Sequence, residues 1–259
     1  MLAVGGTDPL VGAGVFADVA QIAAAGLHPL AVVTGIVDQD SAGVRGFSPV
    51  NAAWVHRSVQ RAVDDGRPDV VRVGMLASGR VGAAVRAALA PWWAHRTGWQ
   101  LVLDPVLSGG TTDSPSLSRT GLVRELRRWL GPGVLVTPNG PELRALSGVS
   151  EAISPEALVA AARRMAEATG AAILVKSGHT ATPGQDVLVL PSHTETLVAH
   201  PRWSPNVHGT GCFLATAIAC ELAAGIPLTD AVERGRAALA HAVAKGLVHV
   251  GAGRPQLSR

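Results

Sequence analysis

The feature that most constrains this chain is an alternation of two hydrophobic patterns. Short apolar runs, each the length of one buried strand, are separated by longer stretches of helical periodicity. The runs are Leu2 to Val4, Pro29 to Thr34, Val70 to Val73, Leu101 to Asp104, Val134 to Thr137 and Ala172 to Lys176. Helical patterns lie between them at Ala13 to Ala25, Ser48 to Asp65, Val81 to Leu89, Leu117 to Leu130 and Pro155 to Ala168, with Ser48 and Ser154 as N-caps. Strands joined through helices return in the same direction, so the rhythm predicts an α/β fold. Its mostly parallel central sheet carries helices on both faces and its ligand site at the carboxyl ends of the strands. From Asp186 the rhythm changes to two shorter runs, Asp186 to Leu190 and Thr196 to His200, around a polar turn at Pro191 to Thr194; these read as a hairpin at the sheet edge. With no linker or internal repeat, residues 1–259 read as one domain.

Composition agrees and excludes other classes. With 47% apolar and 16% charged residues, 259 residues suffice for a large core, which disfavours a disordered chain. No apolar run approaches the ~20 residues that span a bilayer, so no membrane role is expected. The net charge of +3 comes from 22 basic and 19 acidic residues, and the longest basic feature, Arg124 to Arg128, fits the wet face of a helix. Nucleic-acid binding is therefore not expected. Lysine occurs only at Lys176 and Lys245, which makes each worth noticing. Cys212 and Cys220 lie eight positions apart in one helical stretch, about 12 Å along its axis, too far to bridge. With no signal peptide at the start, the expected setting is the reducing cytoplasm.

Polar punctuation follows the strands. Asn206-Val207-His208-Gly209-Thr210-Gly211-Cys212 opens a helix that is apolar on nearly every face. Its first N–H groups and the positive end of its dipole suit an anion such as a phosphate; a simple turn is the plainer reading. The same dipole predicts that Cys212 is favoured as thiolate, whereas Cys220 reads as a small buried hydrophobe. Asn139-Gly140-Pro141-Glu142 follows a strand and reads either as an amide and a carboxylate beside hydrated Mg²⁺ or as a helix capping box. Lys176 ends a strand, where its ammonium could reach a nucleotide phosphate. Near the amino terminus GGTDPLVGAG holds four glycines in ten residues, with Asp18 one turn beyond. That spacing does not fit the dinucleotide pattern G-x-G-x-x-G.

GGTDPLVGAGVFAD, VVTGIVDQDSAGV, VGMLA, VLDPV, TPNGPE, VKSGH and NVHGTGC occur in this order from about Leu2 to Pro255. Together they resemble the hydroxymethylpyrimidine/phosphomethylpyrimidine kinases, the thiamin-pathway branch of the ribokinase-like superfamily. The resemblance implies a ribokinase-like fold and phosphorylation, by ATP with Mg²⁺, of 4-amino-5-hydroxymethyl-2-methylpyrimidine and then of its monophosphate. It implies an anion hole at Gly209, Gly211 and Cys212, with Cys212 as general base, and nucleotide contacts at Lys176, Asn139, Thr210 and Asp186. It also implies metal-side acids at Asp104 and Glu142, and a pyrimidine pocket of Gly6, Asp18, Val37, Gln39, Met75 and Val106. The Gln39 amide both donates and accepts, which suits an aminopyrimidine edge. By family analogy a homodimer is expected.

The chain departs from the family's pattern in two loops. Leu10-Val11 stands where Ser-Gly is usual, and Leu107 to Thr112 carries no cation where a Lys-Ser-Gly segment is usual. The second departure bears most on the monophosphate, which brings extra negative charge. A kinase for a related alcohol such as pyridoxal, or a pyrimidine-binding homologue without turnover, are the competing readings.

Overall fold

A computed structural model describes residues 1–108, 121–149, 154–176, 186–196 and 207–258. Nine strands form the main sheet: β1 (Leu2–Gly6), β2 (Leu30–Asp40), β3 (Gly43–Pro49), β4 (Val71–Val73), β5 (Leu101–Leu103), β6 (Val134–Val136), β7 (Ala172–Val175), β8 (Val187–Val189) and β9 (Thr194–Thr196). Their spatial order is β3-β2-β1-β4-β5-β6-β7-β8-β9. The six from β2 to β7 in that order run parallel, and β3, β8 and β9 are antiparallel additions at the edges. The chain leaves β1 toward β2 on one side and returns to β4 on the other, so the strand order reverses beside β1. In open α/β sheets that reversal opens a crevice for ligands at the carboxyl ends.

Side-chain alternation sorts the strands between two helical layers. Ala3, Val102, Leu135, Ala172 and Leu174 pack with α1 (Gly14–Ala24), α7 (Thr210–Ala223) and α8 (Leu228–Lys245). Their neighbours Leu2, Val4, Leu101, Leu103, Val134 and Val136 pack on the other face with α2 (Ala52–Gly66), α3 (Gly79–Ala94) and α4 (Leu122–Arg127). Ile173 and Val175 meet α5 (Gly140–Ser147) and α6 (Pro155–Thr169). Apart from Arg72 on β4, the central strands are therefore apolar on both faces, which is why they read as continuous runs. A short pair, β10 (Leu247–Val248) and β11 (Gln256–Leu257), follows α8. Among the described residues no helix is long and apolar enough to cross a membrane.

The expected parallel sheet, its two helical layers and the edge hairpin are all present, with three corrections to the elements. Ser48 does not cap α2: the chain continues through β2 to Asp40, turns, and returns as β3, which contains Ser48. The cap is Asn51, whose side chain accepts the Ala53 N–H at 3.0 Å. The second hairpin strand is Thr194–Thr196, because the Leu190 N–H bonds to the His193 carbonyl at 2.8 Å and tightens the turn; positions 197–200 lie outside the described residues. The helix expected from Leu117 begins, within the described residues, after its N-cap Gly121, which has a φ of 84°; positions 117–120 lie outside them.

Helix α7 is enclosed because α8 approaches it at Gly235. A Cβ there would lie 2.6 Å from Ile218 Cγ1 and 3.1 Å from the Ile218 backbone nitrogen. Gly235→Ala should therefore destabilise the protein by about 1–3 kcal/mol through overpacking. A denaturant midpoint matching that of the unaltered protein would show that the two helices are not held this close.

Candidate active site

The reversal beside β1 opens into a cavity of about 280 Å³. Fourteen of the fifteen expected site residues lie on its wall: Gly6, Val37, Gln39, Met75, Val106, Asp104, Asn139, Glu142, Lys176, Asp186, Gly209, Thr210, Gly211 and Cys212. Most are brought there by the carboxyl half of a parallel strand or by the start of α5 or α7, and Asp186 by the amino end of the antiparallel β8. Asp18 is the exception. It sits on α1 with no exposed surface, below the wall, where it accepts Arg72 Nη1 at 2.9 Å and Thr216 Oγ1 at 2.7 Å.

The deep end is built around Arg72, the middle residue of β4. Its neighbours Val71 and Val73 face one helical layer, which leaves Arg72 facing α1 and α7. Its other terminal nitrogen, Nη2, donates to Asp104 Oδ2 at 3.0 Å. Asp104 Oδ1 accepts Lys176 Nζ at 3.1 Å and Thr137 Oγ1 at 3.3 Å. Burial alone would raise the Asp104 pKa, but Lys176 and Arg72 outweigh it and hold the carboxyl below its ordinary range. Burial likewise opposes the charge on Lys176, and Asp104 and Glu142 override it, so the lysine's pKa is raised.

Asn139 and Glu142 form the capping box of α5. The Asn139 side chain accepts the Glu142 N–H, and Glu142 Oε2 accepts the Asn139 N–H, both at 2.8 Å. The box also turns the Glu142 carboxylate toward Asp104 and Lys176 inside the cavity. Burial pushes its pKa up to about 7, with Lys176 opposing and Asp104 adding to the rise. Two adjacent carboxyls, one of them short of a counter-charge, fit a divalent cation that takes its remaining ligands from water and phosphate. Among the described residues no group of three or more His, Cys, Asp or Glu is placed to hold a metal ion.

Helix α7 starts at the same end. Its N-cap Gly209 adopts φ 84° and offers no side-chain cap, so the first-turn amides are not satisfied by a capping side chain. Lys176 Nζ lies close enough that a Cβ on Gly211 would be 3.4 Å from it. The Cys212 thiol departs from expectation. Burial raises its pKa, Arg72 pulls it down, and Asp104 and Asp18 raise it again, so the net shift is upward. Burial is the largest of these effects, and with the two carboxylates it outweighs Arg72, so the protonated thiol is favoured. Cys220 is the small buried hydrophobe expected, and both cysteines are free.

The outer end is apolar on one side. Val37, Met75 and Ala77 form a small cluster with Val44, Phe47 and Val106 partly buried against it. Gly6 keeps the floor flat, since a Cβ there would come within 2.8 Å of Met75 Sδ. Opposite stands Asp8, which sequence reasoning noted only as polar punctuation. It accepts the Leu10 N–H at 3.0 Å, the Ala13 N–H at 2.8 Å and His208 Nε2 at 2.9 Å. Burial would raise its pKa, but hydrogen bonds from His208 and Gln39 bring it below the ordinary value. Arg72, His208 and Arg254 also line the cavity and were missed as site residues. The one available signal was Arg72, a lone charge inside the apolar run Val70 to Val73.

Asp8 closes the β1–α1 loop and ties it to the residue before Gly209. Asp8→Ala should cost about 2–3 kcal/mol, since it leaves partly buried donors unsatisfied. Because the folded pKa lies below the unfolded one, this contribution is complete above the ordinary carboxylate pKa and is lost as pH falls through the lowered value. Denaturation curves should therefore separate the two proteins at pH 7 and converge in strong acid; a constant gap would contradict the assignment.

The chain matches the family described as phosphomethylpyrimidine kinase over residues 8–257. It is 36% identical over 262 residues to the hydroxymethylpyrimidine/phosphomethylpyrimidine kinase of Rhizobium meliloti, covering 98% of this chain and 94% of that protein. It is also 36% identical over 235 residues to the thiamine biosynthesis multifunctional protein ThiED of Corynebacterium efficiens, covering 90% of this chain and 31% of that protein. The chain thus spans about a third of the length of that multifunctional relative. Among solved structures, the pyridoxal kinase of Staphylococcus aureus in complex with AMP-PCP and pyridoxal superposes with a TM-score of 0.83 at 23% identity, covering 99% of this chain and 91% of that one. This last likeness bears on the fold, which is ribokinase-like. On the family match and the nearly full-length relative, the chain belongs to the phosphomethylpyrimidine kinase family.

Proposed function

We propose that residues 1–259 act as one catalytic unit that transfers the γ-phosphoryl group of ATP to 4-amino-5-hydroxymethyl-2-methylpyrimidine and then to its monophosphate. The observation that carries this reading is the cavity's two-ended character. The uncapped amides opening α7 and the Lys176 ammonium meet, in one space, an apolar slot of Val37, Met75 and Val106. Phosphoryl transfer asks mainly for in-line placement and charge neutralisation, and this geometry suits both.

In this reading the amides of Thr210, Gly211 and Cys212 receive the equatorial oxygens of the migrating group, and Lys176 offsets their charge. Asn139 and Asp186 lie toward the nucleotide. The slot holds the pyrimidine ring with Gly6 beneath it and the Gln39 amide at its edge. Asp18 orients Arg72 from below instead of touching the ring. Asp104 and Glu142 would hold Mg²⁺, which when bound supplies charge neutralisation at the phosphates. Cys212, in its thiolate form, accepts the proton of the attacking hydroxyl as the new P–O bond forms and ADP departs with the electron pair of the broken one. A homodimer belongs to the reading, supported by large apolar side chains exposed at Phe16, Ile36 and Trp54. Two free thiols agree with a reducing, cytoplasmic setting.

A pyridoxal kinase remains the second reading, favoured by the superposition described above. ADP release measured with the hydroxymethylpyrimidine, its monophosphate and pyridoxal separates the two; release with pyridoxal alone would overturn the first. In the same assay Cys212→Ala should lower turnover by about 10²–10⁴-fold while ATP affinity stays within about threefold. Because the thiol's pKa is raised above its ordinary value, turnover of the unaltered protein should climb from pH 7 to pH 9, and the variant should lose that climb.

Glu142 gives a separate test. A cation must displace the proton that Glu142 carries below about pH 7. The Mg²⁺ concentration for half-maximal activity should thus fall between pH 6 and pH 8, and Glu142→Gln should flatten that dependence. A pH-independent requirement in the unaltered protein would remove Glu142 from the metal's surroundings.

A further inference from the structure

The cavity's ionisable groups are unevenly matched to its two acceptors. At the deep end Arg72 is bonded to Asp18 and Asp104, and Lys176 to Asp104, with Glu142 beside them. Two cations there face three carboxyls, so this end holds no excess positive charge. A phosphate monoester brings about −1.5 to −2 charges and lies next to the donor's own phosphates. After β5 no lysine or arginine occurs from Pro105 to Ser118, and the next cation in the sequence is Arg119, outside the described residues.

Arg254 reaches the cavity from another direction. Its backbone N–H donates to the Ser41 carbonyl at 2.8 Å, and the Gly253 N–H donates to Ser41 Oγ at 3.1 Å. Ser41 lies in the turn between β2 and β3, the pair that carries Val37, Gln39 and Val44. On its other side, Pro255 accepts the His208 N–H at 2.8 Å, and Gln256 Nε2 donates to the Leu10 carbonyl at 3.1 Å. The C-terminal segment is thus pinned between the strand pair that forms the apolar slot and the loop that opens α7. Arg254 stands where those two meet, beside Asp8 and His208. A guanidinium is always charged and presents paired donors that match phosphate geometry.

We propose that Arg254 is a specificity residue that binds the phosphate of a phosphorylated acceptor, so that the site takes the monophosphate as well as the alcohol. The inference rests on the kinase reading above. In the second transfer an oxygen of the acceptor's phosphate forms the new bond to the γ-phosphorus, and ADP leaves with the electron pair of the bond that breaks. Partial burial lowers the Arg254 pKa, and Asp8 opposes that shift.

The test compares Arg254→Gln and Arg254→Lys in the full chain, with ADP release from the hydroxymethylpyrimidine and from its monophosphate. Calorimetric binding of the monophosphate without nucleotide is the second measurement. The ratio of kcat/KM for the monophosphate to that for the alcohol should fall about 10–100-fold in Arg254→Gln, through KM more than kcat. Arg254→Lys should recover part of the loss, and monophosphate binding should weaken in parallel. An unchanged ratio, or unchanged monophosphate binding in Arg254→Gln, overturns the assignment of Arg254. Absence of ADP release from both acceptors in the unaltered protein would instead overturn the kinase reading itself.

Discussion

Arg72 is a fully charged side chain with 1% of its surface exposed, at the centre of a parallel sheet, and its two ends are held by two carboxylates from different parts of the chain. Asp18 comes from the first helix and Asp104 from the end of β5, and Thr216 on α7 bonds the same Asp18. Buried ion pairs are weak sources of net stability, because desolvation consumes most of the Coulombic gain. What this one supplies is position. It fixes the end of β5 relative to α1 and α7, and through Asp104 it orients Lys176 toward the start of α7. Loss of the guanidinium would leave two carboxyls buried without their counter-ion and release the lysine that faces the phosphate-sized space.

The same cluster sets the chemistry of its neighbours in opposite directions. Asp104, with cations on both sides, is kept ionised, whereas Glu142, a few residues into α5, carries a pKa of about 7 because burial and Asp104 outweigh Lys176. Burial raises the Cys212 pKa, Arg72 opposes it, and Asp104 and Asp18 add to the rise, so the protonated form is favoured. A helix start by itself favours a thiolate; here burial, reinforced by the carboxylates, reverses that preference. The site is therefore poised to gain positive charge, and a cation arriving with the nucleotide would relieve both raised acids.

At the outer end the organising group is Asp8, which gathers the β1–α1 loop, His208 and Gln39 around one carboxylate. The C-terminal segment closes over this junction through Ser41, His208 and Leu10. Acceptor slot, anion loop and chain terminus thus share one set of hydrogen bonds, so movement of any one is felt by the others. The deep end is held by ion pairs buried from water, and the outer end by backbone hydrogen bonds between loops.

Periodicity in the sequence determined the parallel sheet, its two helical layers and the end of the sheet where polar residues gather, because strands largely apolar on both faces admit few other architectures; which of those residues line the pocket came from the family resemblance. The capping of α6 by Ser154 and of α5 by Asn139 was equally local and equally legible. Tertiary structure alone decided what depends on contacts distant in sequence. The β2–β3 ribbon could not be separated from a helix start, since Ser48 fits either and only pairing with β2 chooses. Asp18 lies near the pocket residues in sequence but beneath them in space, because Arg72 draws its carboxylate inward. His208 and Arg254 enter the site across separations of two hundred residues or more from Asp8, and no local pattern announces such a meeting; Arg72 showed only as a lone charge in an apolar run. The direction of the Cys212 shift likewise follows from how deeply the thiol is buried and which charges fold against it, quantities that exist only once the chain is packed.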